Sequence, residues 1–257
     1  MTGGELEKAT GLAPGRKERA VWGPQGKGYF GVPGIDDLLP VGMSYDTQVM
    51  VTGDTGVGKT VLAAQFIYEG LLVGDNCIYV ACDEPPNLMR QNMSNFRVGS
   101  IAYERAGRLV FIDAYAHERS TERVVVPDPK NLDEYFAYER QVIDSFAGKP
   151  LRLVVDSIST LFATLDRTSI LEFNRNRLRY LRARYVLTLD AYVVGLLDEQ
   201  TMAGLSHAYP LILKMGFQSV DDSLQRYLQL GKLRSGQFSG ERQTFRIDPR
   251  AGIVIQR

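Results

Sequence analysis

Cysteine, histidine and tryptophan are scarce in this chain of 257 residues, which carries two, two and one of them. Cys77 and Cys82 bracket one expected strand at a spacing of five, which points them to opposite faces and excludes a disulfide within a regular strand. With only His117 and His207 to join them they make a poor zinc set, and both read as buried reduced thiols. No run of roughly twenty apolar residues occurs, and Met1-Thr2-Gly3-Gly4-Glu5-Leu6-Glu7 lacks the basic-then-apolar layout of a signal peptide. A cytoplasmic protein without membrane insertion is therefore expected. Net charge is missing too: 30 Lys+Arg balance 30 Asp+Glu, so any attraction to nucleic acid or anionic membrane must come from local patches. The length suits one large α/β domain better than two.

What the chain does have is Gly53-Asp54-Thr55-Gly56-Val57-Gly58-Lys59-Thr60, which fits the phosphate-loop pattern G-x-x-x-x-G-K-[ST] at every defined position. The run Thr47 to Thr52 reads as a strand entering the loop, and Val61 to Ile67 continues it as a helix reaching about Gly74. Glycines let the backbone curl so that successive N–H groups and the helix N-terminus converge on an anionic phosphate. Lys59 would reach the β/γ-phosphates of ATP, and the Thr60 hydroxyl would ligate Mg²⁺.

Two further strands end in acids. Cys77 to Cys82 is followed by Asp83-Glu84-Pro85-Pro86, and Leu151 to Val155 runs into Asp156-Ser157-Ile158-Ser159-Thr160. A carboxylate at the carboxyl end of a strand is where open α/β sheets place ligand chemistry. An apolar strand ending in Asp156 has the Walker B layout, with the carboxylate holding the Mg²⁺ shell, through water, opposite Thr60.

Between and beyond these motifs the pattern gives a helix from about Asn87 to Phe96 and a strand from Arg108 to Asp113. A long surface loop follows over 114–130, carrying His117 and the triplet Val124-Val125-Val126. Asn131 caps a helix with Leu132, Phe136, Ile143 and Phe146 on one face. Ser169 to about Arg184 is helical by period, and its five arginines in ten residues (Arg175, Arg177, Arg179, Arg182, Arg184) read as a solvated face, a surface for an acidic partner, or a phosphate-backbone contact. DNA is the least favoured of the three, because no aromatic-interleaved basic groove is evident. The next core strand is expected over Ala191 to Leu197. Residues 1–28 look like an arm or tail, with Trp22 and Tyr29-Phe30 able to pin it to the core or to a neighbouring subunit.

Gly31-Val32-Pro33-Gly34-Ile35-Asp36-Asp37-Leu38-Leu39, with Gly42 and the phosphate loop, resembles the opening of RecA-superfamily ATPases of the KaiC-like type. Asp156-Ser157-Ile158-Ser159 resembles the same family's "D-S-V/I-T/S". Lys232-Leu233-Arg234, then Phe245 to Ile255, resembles its K-x-R motif and closing strands. The likeness spans about Tyr29 to Ile255. It implies that 29–257 form one α/β domain of RecA-like P-loop NTPase fold: a mostly parallel twisted sheet, helices on both faces, and a C-terminal antiparallel extension.

The resemblance also implies an activity and an assembly. Family members are ring ATPases, commonly hexameric, with ATP and Mg²⁺ at subunit boundaries. Lys232 and Arg234 would then reach the neighbour's nucleotide, so isolated subunits should hydrolyse poorly, a trans-acting Arg being worth about 10³- to 10⁵-fold in rate. The family places two glutamates after the second strand, the first activating water. Here the first is Asp83, one methylene shorter, and a displacement of about 1 Å can cost on the order of 10²-fold. Either Glu84 takes over or turnover is slow. Gln200 is a candidate sensor of the γ-phosphate, and Ser206 lies where some members autophosphorylate. The resemblance thus leaves open an ATPase, a nucleotide-gated module signalling to a partner protein, a recombinase-like DNA ATPase and an autokinase.

Overall fold

The computed structural model describes residues 26–95, 99–115, 120–221, 223–234, 236 and 238–256. Trp22, His117 and the arm up to residue 25 lie outside the described residues. Lys27–Gly28 (β1), at the end of the expected arm, pairs antiparallel with Met43–Ser44 (β2), and the short helix Pro33–Asp36 (α1) lies between them.

A nine-stranded sheet forms the body. Six of its strands are parallel neighbours, in the order Leu211–Val220 (β8), Gln48–Gly53 (β3), Val186–Val193 (β7), Leu151–Asp156 (β6), Asn76–Ala81 (β4) and Leu109–Asp113 (β5). Ser223–Leu233 (β9), Arg242–Asp248 (β10) and Gly252–Ile255 (β11) extend the β8 edge antiparallel. The central strands are apolar on both faces because helices cover both. Lys59–Val73 (α2), Pro86–Asn95 (α3) and Ser100–Arg105 (α4) lie along the chain before β5. Leu62, Phe66, Met89 and Met93 from α2 and α3 join one core with Val49, Val51 and Tyr79. Leu132–Asp144 (α5), Ile158–Phe162 (α6), Arg167–Ala183 (α7) and Glu199–Ala208 (α8) supply Tyr135, Phe162, Phe173, Leu181 and Leu205 to the other, around Met50, Val80 and Val155. Cys77 and Cys82 are free, buried, and divided between the two cores, as their spacing requires.

Phe30 is buried against Phe66 of the same chain, ring centroids 5.9 Å apart. Tyr29 is tied down by Arg152, a charge inside β6. Its Nη1 donates to the Tyr29 carbonyl at 2.7 Å, and its Nε pairs with Asp75 at 2.7 Å. Asp36 folds back to accept from the Phe30 and Gly31 N–H groups, and burial, opposed by those bonds, raises its carboxyl to about 6.

Several expectations need correction. The strand anticipated at Ala191 to Leu197 runs instead from Val186 to Val193, and Val194 and Leu196 are exposed on a turn at Gly195. Thr188 and Asp190 are fully buried within it, and their polarity disguises the strand's first half. Asp190 belongs there because Arg177 meets it at 2.7 Å and Glu139 at 2.8 Å, all three fully buried. Tyr209 and Tyr135 donate to the two carboxylates at 2.6 and 2.9 Å. Burial alone would lower the Arg177 pKa, but Asp190 and Glu139 hold it well above its ordinary value. Arg177 is therefore not part of a solvated arginine face, while Arg175, Arg179, Arg182 and Arg184 are exposed. The segment 114–130 is not wholly a surface loop: Val124 and Val126 hydrogen-bond to the Asp113 backbone beside β5, and Val126 is buried. Helix α4 and strand β8 lack a clear period and go unanticipated, β8 because it breaks its apolar run with Lys214 and Gly216.

Removing Arg177 strands two buried carboxylates. Arg177→Ala should lower the unfolding free energy by about 3 to 5 kcal/mol. Urea denaturation measures this, and a loss below about 1 kcal/mol, the size of an ordinary substitution, would contradict the assignment.

Candidate nucleotide site

Parallel pairing brings the carboxyl ends of β3, β7, β6 and β4 together. Gly53 stands opposite Val193, and Ala81 opposite Asp156, so the phosphate loop and both acid-bearing strand ends open onto one edge of the sheet. Gly53 must be glycine, because a Cβ there would lie 2.7 Å from the Met215 carbonyl oxygen of β8. Gly58 closes the loop at φ +119, in the left-handed region that favours glycine. No side chain caps the N-terminus of α2, so its first-turn N–H groups are open to an anion. Asp54, Thr55 and Gly56 form the accessible rim, while Val57 is buried and anchors the loop in the core.

Lys59 is nearly buried, and its Nζ donates to the Gly53 and Asp54 carbonyls, each at 2.8 Å. Burial lowers its pKa, with Asp156, Asp83 and Asp54 opposing the shift. Asp156, buried at the end of β6, accepts from the Tyr79 hydroxyl at 2.6 Å and from the Thr60 hydroxyl. Burial raises its pKa, the two hydrogen bonds oppose the rise, and Asp83 adds to it. The peptide bond from Asp156 to Ser157 is cis.

The Thr60 hydroxyl and the Asp156 carboxylate form a hard oxygen pair next to the loop. No group of three or more His, Cys, Asp or Glu side chains able to hold a metal occurs among the described residues. Two protein oxygens, with phosphate and water for the remainder, fit Mg²⁺, which seldom uses an all-protein cage.

Asp83 and Glu84 differ. Asp83 Oδ1 accepts from the Thr160 hydroxyl at 2.5 Å, and Asp83 acts electrostatically on both Lys59 and Asp156. Glu84 is exposed and has no hydrogen-bond partner among the described residues. Thr160 belongs to a hydroxyl chain: it lies 3.1 Å from Ser157 Oγ, which is 3.2 Å from Ser159 Oγ, which accepts from the Val193 N–H at 3.0 Å. The neighbouring Val194 N–H reaches the Gly53 carbonyl, closing the circuit back to the phosphate loop. Sequence reasoning missed Tyr79 and Thr160. Thr160 lies four residues after Asp156, but no spacing rule pairs it with Asp83; only the turn into α6 does.

Lys232 and Arg234 are not brought to this site within the chain. They converge on the end of α8, where Lys232 donates to the Ser206 and His207 carbonyls at 2.9 and 3.1 Å and Arg234 to His207 at 3.2 Å. That is where cations favour a helix C-terminus. Register explains the distance: Leu233 pairs with Leu211 at the start of β8, whereas the phosphate loop departs level with Met215. Gln200 hydrogen-bonds to Arg167 in the first turn of α8, and the Ser206 hydroxyl points to Met50; neither touches the phosphate loop. Gln200 and Ser206 both lie in α8.

A family model described as "ATPase: KaiC" matches residues 29–257. Relatives include a UPF0273 protein of Pyrococcus horikoshii, 30% identical over 234 residues that cover 88% of this chain and 92% of the relative. Another, from Thermotoga maritima, is 29% identical over 233 residues, covering 88% of this chain and 93% of its own length. Among solved structures, the crystal structure of a KaiC-like protein from Pyrococcus horikoshii matches with a TM-score of 0.73 and 27% identity, covering 90% of this chain and 99% of that one.

Lys59 offers the one ammonium that the phosphate loop holds against an incoming anion. Lys59→Ala should weaken ATP binding by about 10- to 100-fold, the value of a hydrogen bond to a charged group. Titration with a fluorescent ATP analogue measures it, and undiminished affinity would contradict the site.

Proposed function

The chain belongs to the KaiC family of ATPases, and from that premise we propose that it is a Mg²⁺-dependent ring ATPase with ATP held at subunit boundaries.

 The observation that carries this reading is the meeting of an uncapped phosphate loop, the Thr60–Asp156 oxygen pair and Asp83 at one sheet edge. The N–H groups of residues 53–60 cradle the phosphates, and Lys59 turns from its two carbonyls to the β/γ-oxygens. Thr60 and Asp156 would hold Mg²⁺, Asp156 through water, and the ion would supply charge neutralisation at the phosphates.

Asp83, rather than Glu84, is the water-activating carboxylate in this proposal. The Thr160 hydroxyl engages one carboxylate oxygen, leaving the other to accept a proton from water. That water attacks the γ-phosphorus, the bond to the β–γ bridging oxygen breaks, and ADP and phosphate leave. Lys232 and Arg234 of the adjoining subunit offset the charge that develops on the γ-phosphoryl oxygens. Their position far from their own phosphate loop supports a role in trans.

A second reading is favoured by Asp83 itself. Its shorter reach suits a slowly hydrolysing, nucleotide-gated module that signals to a partner protein, with the bound nucleotide setting the state of the ring. Cytoplasmic location is part of the proposal; no helix among the described residues is long and apolar enough to cross a membrane.

Asp83→Asn separates the two candidate bases. It should retain ATP affinity and lower turnover by about 100-fold or more, the scale of general-base catalysis, while Glu84→Gln has a much smaller effect. Steady-state phosphate release measures both. The reverse ranking would assign the base to Glu84, and ATP binding without turnover in the wild type would select the nucleotide-gated module.

A further inference from the structure

A groove of about 570 Å³ lies between α7 and α8. Leu171 and Leu178 are among its apolar lining, and Arg175, Arg179, Arg182 and Arg234 bring four guanidinium groups to it. No carboxylate lines it. Among the described residues, Arg182 bonds only to the Gln48 amide oxygen, Arg234 only to a backbone carbonyl, and Arg175 and Arg179 to no side-chain partner. Lys232 does not line the groove; its ammonium sits beside Arg234 on the Ser206 and His207 carbonyls, its pKa lowered by burial and by that neighbour.

A concentration of cations in a chain of zero net charge leaves carboxylates elsewhere. At the nucleotide site, Asp83 and Glu84 are exposed and Asp54 is half-buried, and a bound ATP would add its phosphates. The groove and that acidic rim are different surfaces of one molecule. Contact between unlike surfaces of identical copies is heterologous, and it closes into a ring when the rotation permits. Complementary charge would both fix the register and speed the encounter.

We propose that the groove between α7 and α8 receives the ATP-loaded phosphate-loop rim of a second copy of this chain, with Arg175 and Arg179 of α7 joining Lys232 and Arg234 as its anion-binding residues. The inference rests on the reading that Lys232 and Arg234 serve the neighbouring chain's nucleotide, and it assigns the α7 arginines to that contact.

Mixing variants tests it. R175E/R179E keeps its own phosphate loop but reverses the groove's charge; Lys59→Ala keeps the groove but loses the loop. R175E/R179E alone should lose about 100-fold in turnover while its intact phosphate loop still holds ATP, like charges now facing each other across the boundary. Equimolar mixture with Lys59→Ala should restore turnover to about a quarter of wild type, since random closure completes about one boundary in four. Wild-type turnover in R175E/R179E would overturn the inference. So would a dead mixture of that variant with Lys59→Ala when Arg234→Ala mixed with Lys59→Ala recovers; failure of both mixtures would overturn the trans reading itself. Loss of salt-sensitive DNA binding with turnover unchanged would give the groove to nucleic acid. Circular dichroism melting checks folding, and R175A/R179A, expected to show the same complementation, replaces the reversal variant if that one does not fold.

Discussion

Parallel register across β3, β7, β6 and β4 is the constraint on which the site depends. Side chains alternate faces along a strand, so a slip of one residue in any pair would turn its inward residues outward. The pairing of Gly53 with Val193 and of Ala81 with Asp156 therefore sets which backbone and which carboxylate arrive at the edge. Once those strand ends are level, the loop from Gly53 to Gly58 has little freedom: Met215 crowds its first glycine and buried Val57 anchors its middle. Lys59, Thr60, Asp156 and Asp83 then come within reach of one another because their elements all begin or end there.

Buried charge maintains that register from below. Arg177 links α7 to α5 through Glu139 and to β7 through Asp190, holding the helix layer to the strand whose end carries Val193. On the other face, Arg152 links β6 to Asp75 and to the Tyr29 carbonyl, joining the first described residues to the sheet centre. Such ion pairs contribute modestly to net stability, since burial offsets much of their attraction, but loss of one partner is costly. Both arginines lie far from the phosphate loop, and both act on strands that present it.

The phosphate loop, its flanking strand and helix, and the strand ending at Asp156 were legible because each has a local signature: eight consecutive residues, an apolar run, an acid at its end. The family's lead-in and closing motifs gave the fold class on the same footing. What stayed hidden is tertiary. Thr188 and Asp190 look unlike core, so the pattern starts β7 too late; Asp190 is core because Arg177 lies across from it. Arg177 in turn looks like its exposed neighbours Arg175 and Arg179, and helical period alone does not reveal a buried acid on α5. The Thr160 contact with Asp83 spans two strands and a turn, and no spacing along the chain encodes it.

The proposal that Lys232 and Arg234, held within their own chain at the end of α8, serve a neighbouring chain's nucleotide makes assembly its central claim. The most direct test is ATP turnover per chain as a function of protein concentration, wild type beside Arg234→Ala. A shared site predicts a rate per chain that rises with concentration in the wild type and stays low at every concentration in the variant. A rate independent of concentration and equal in both proteins would contradict it.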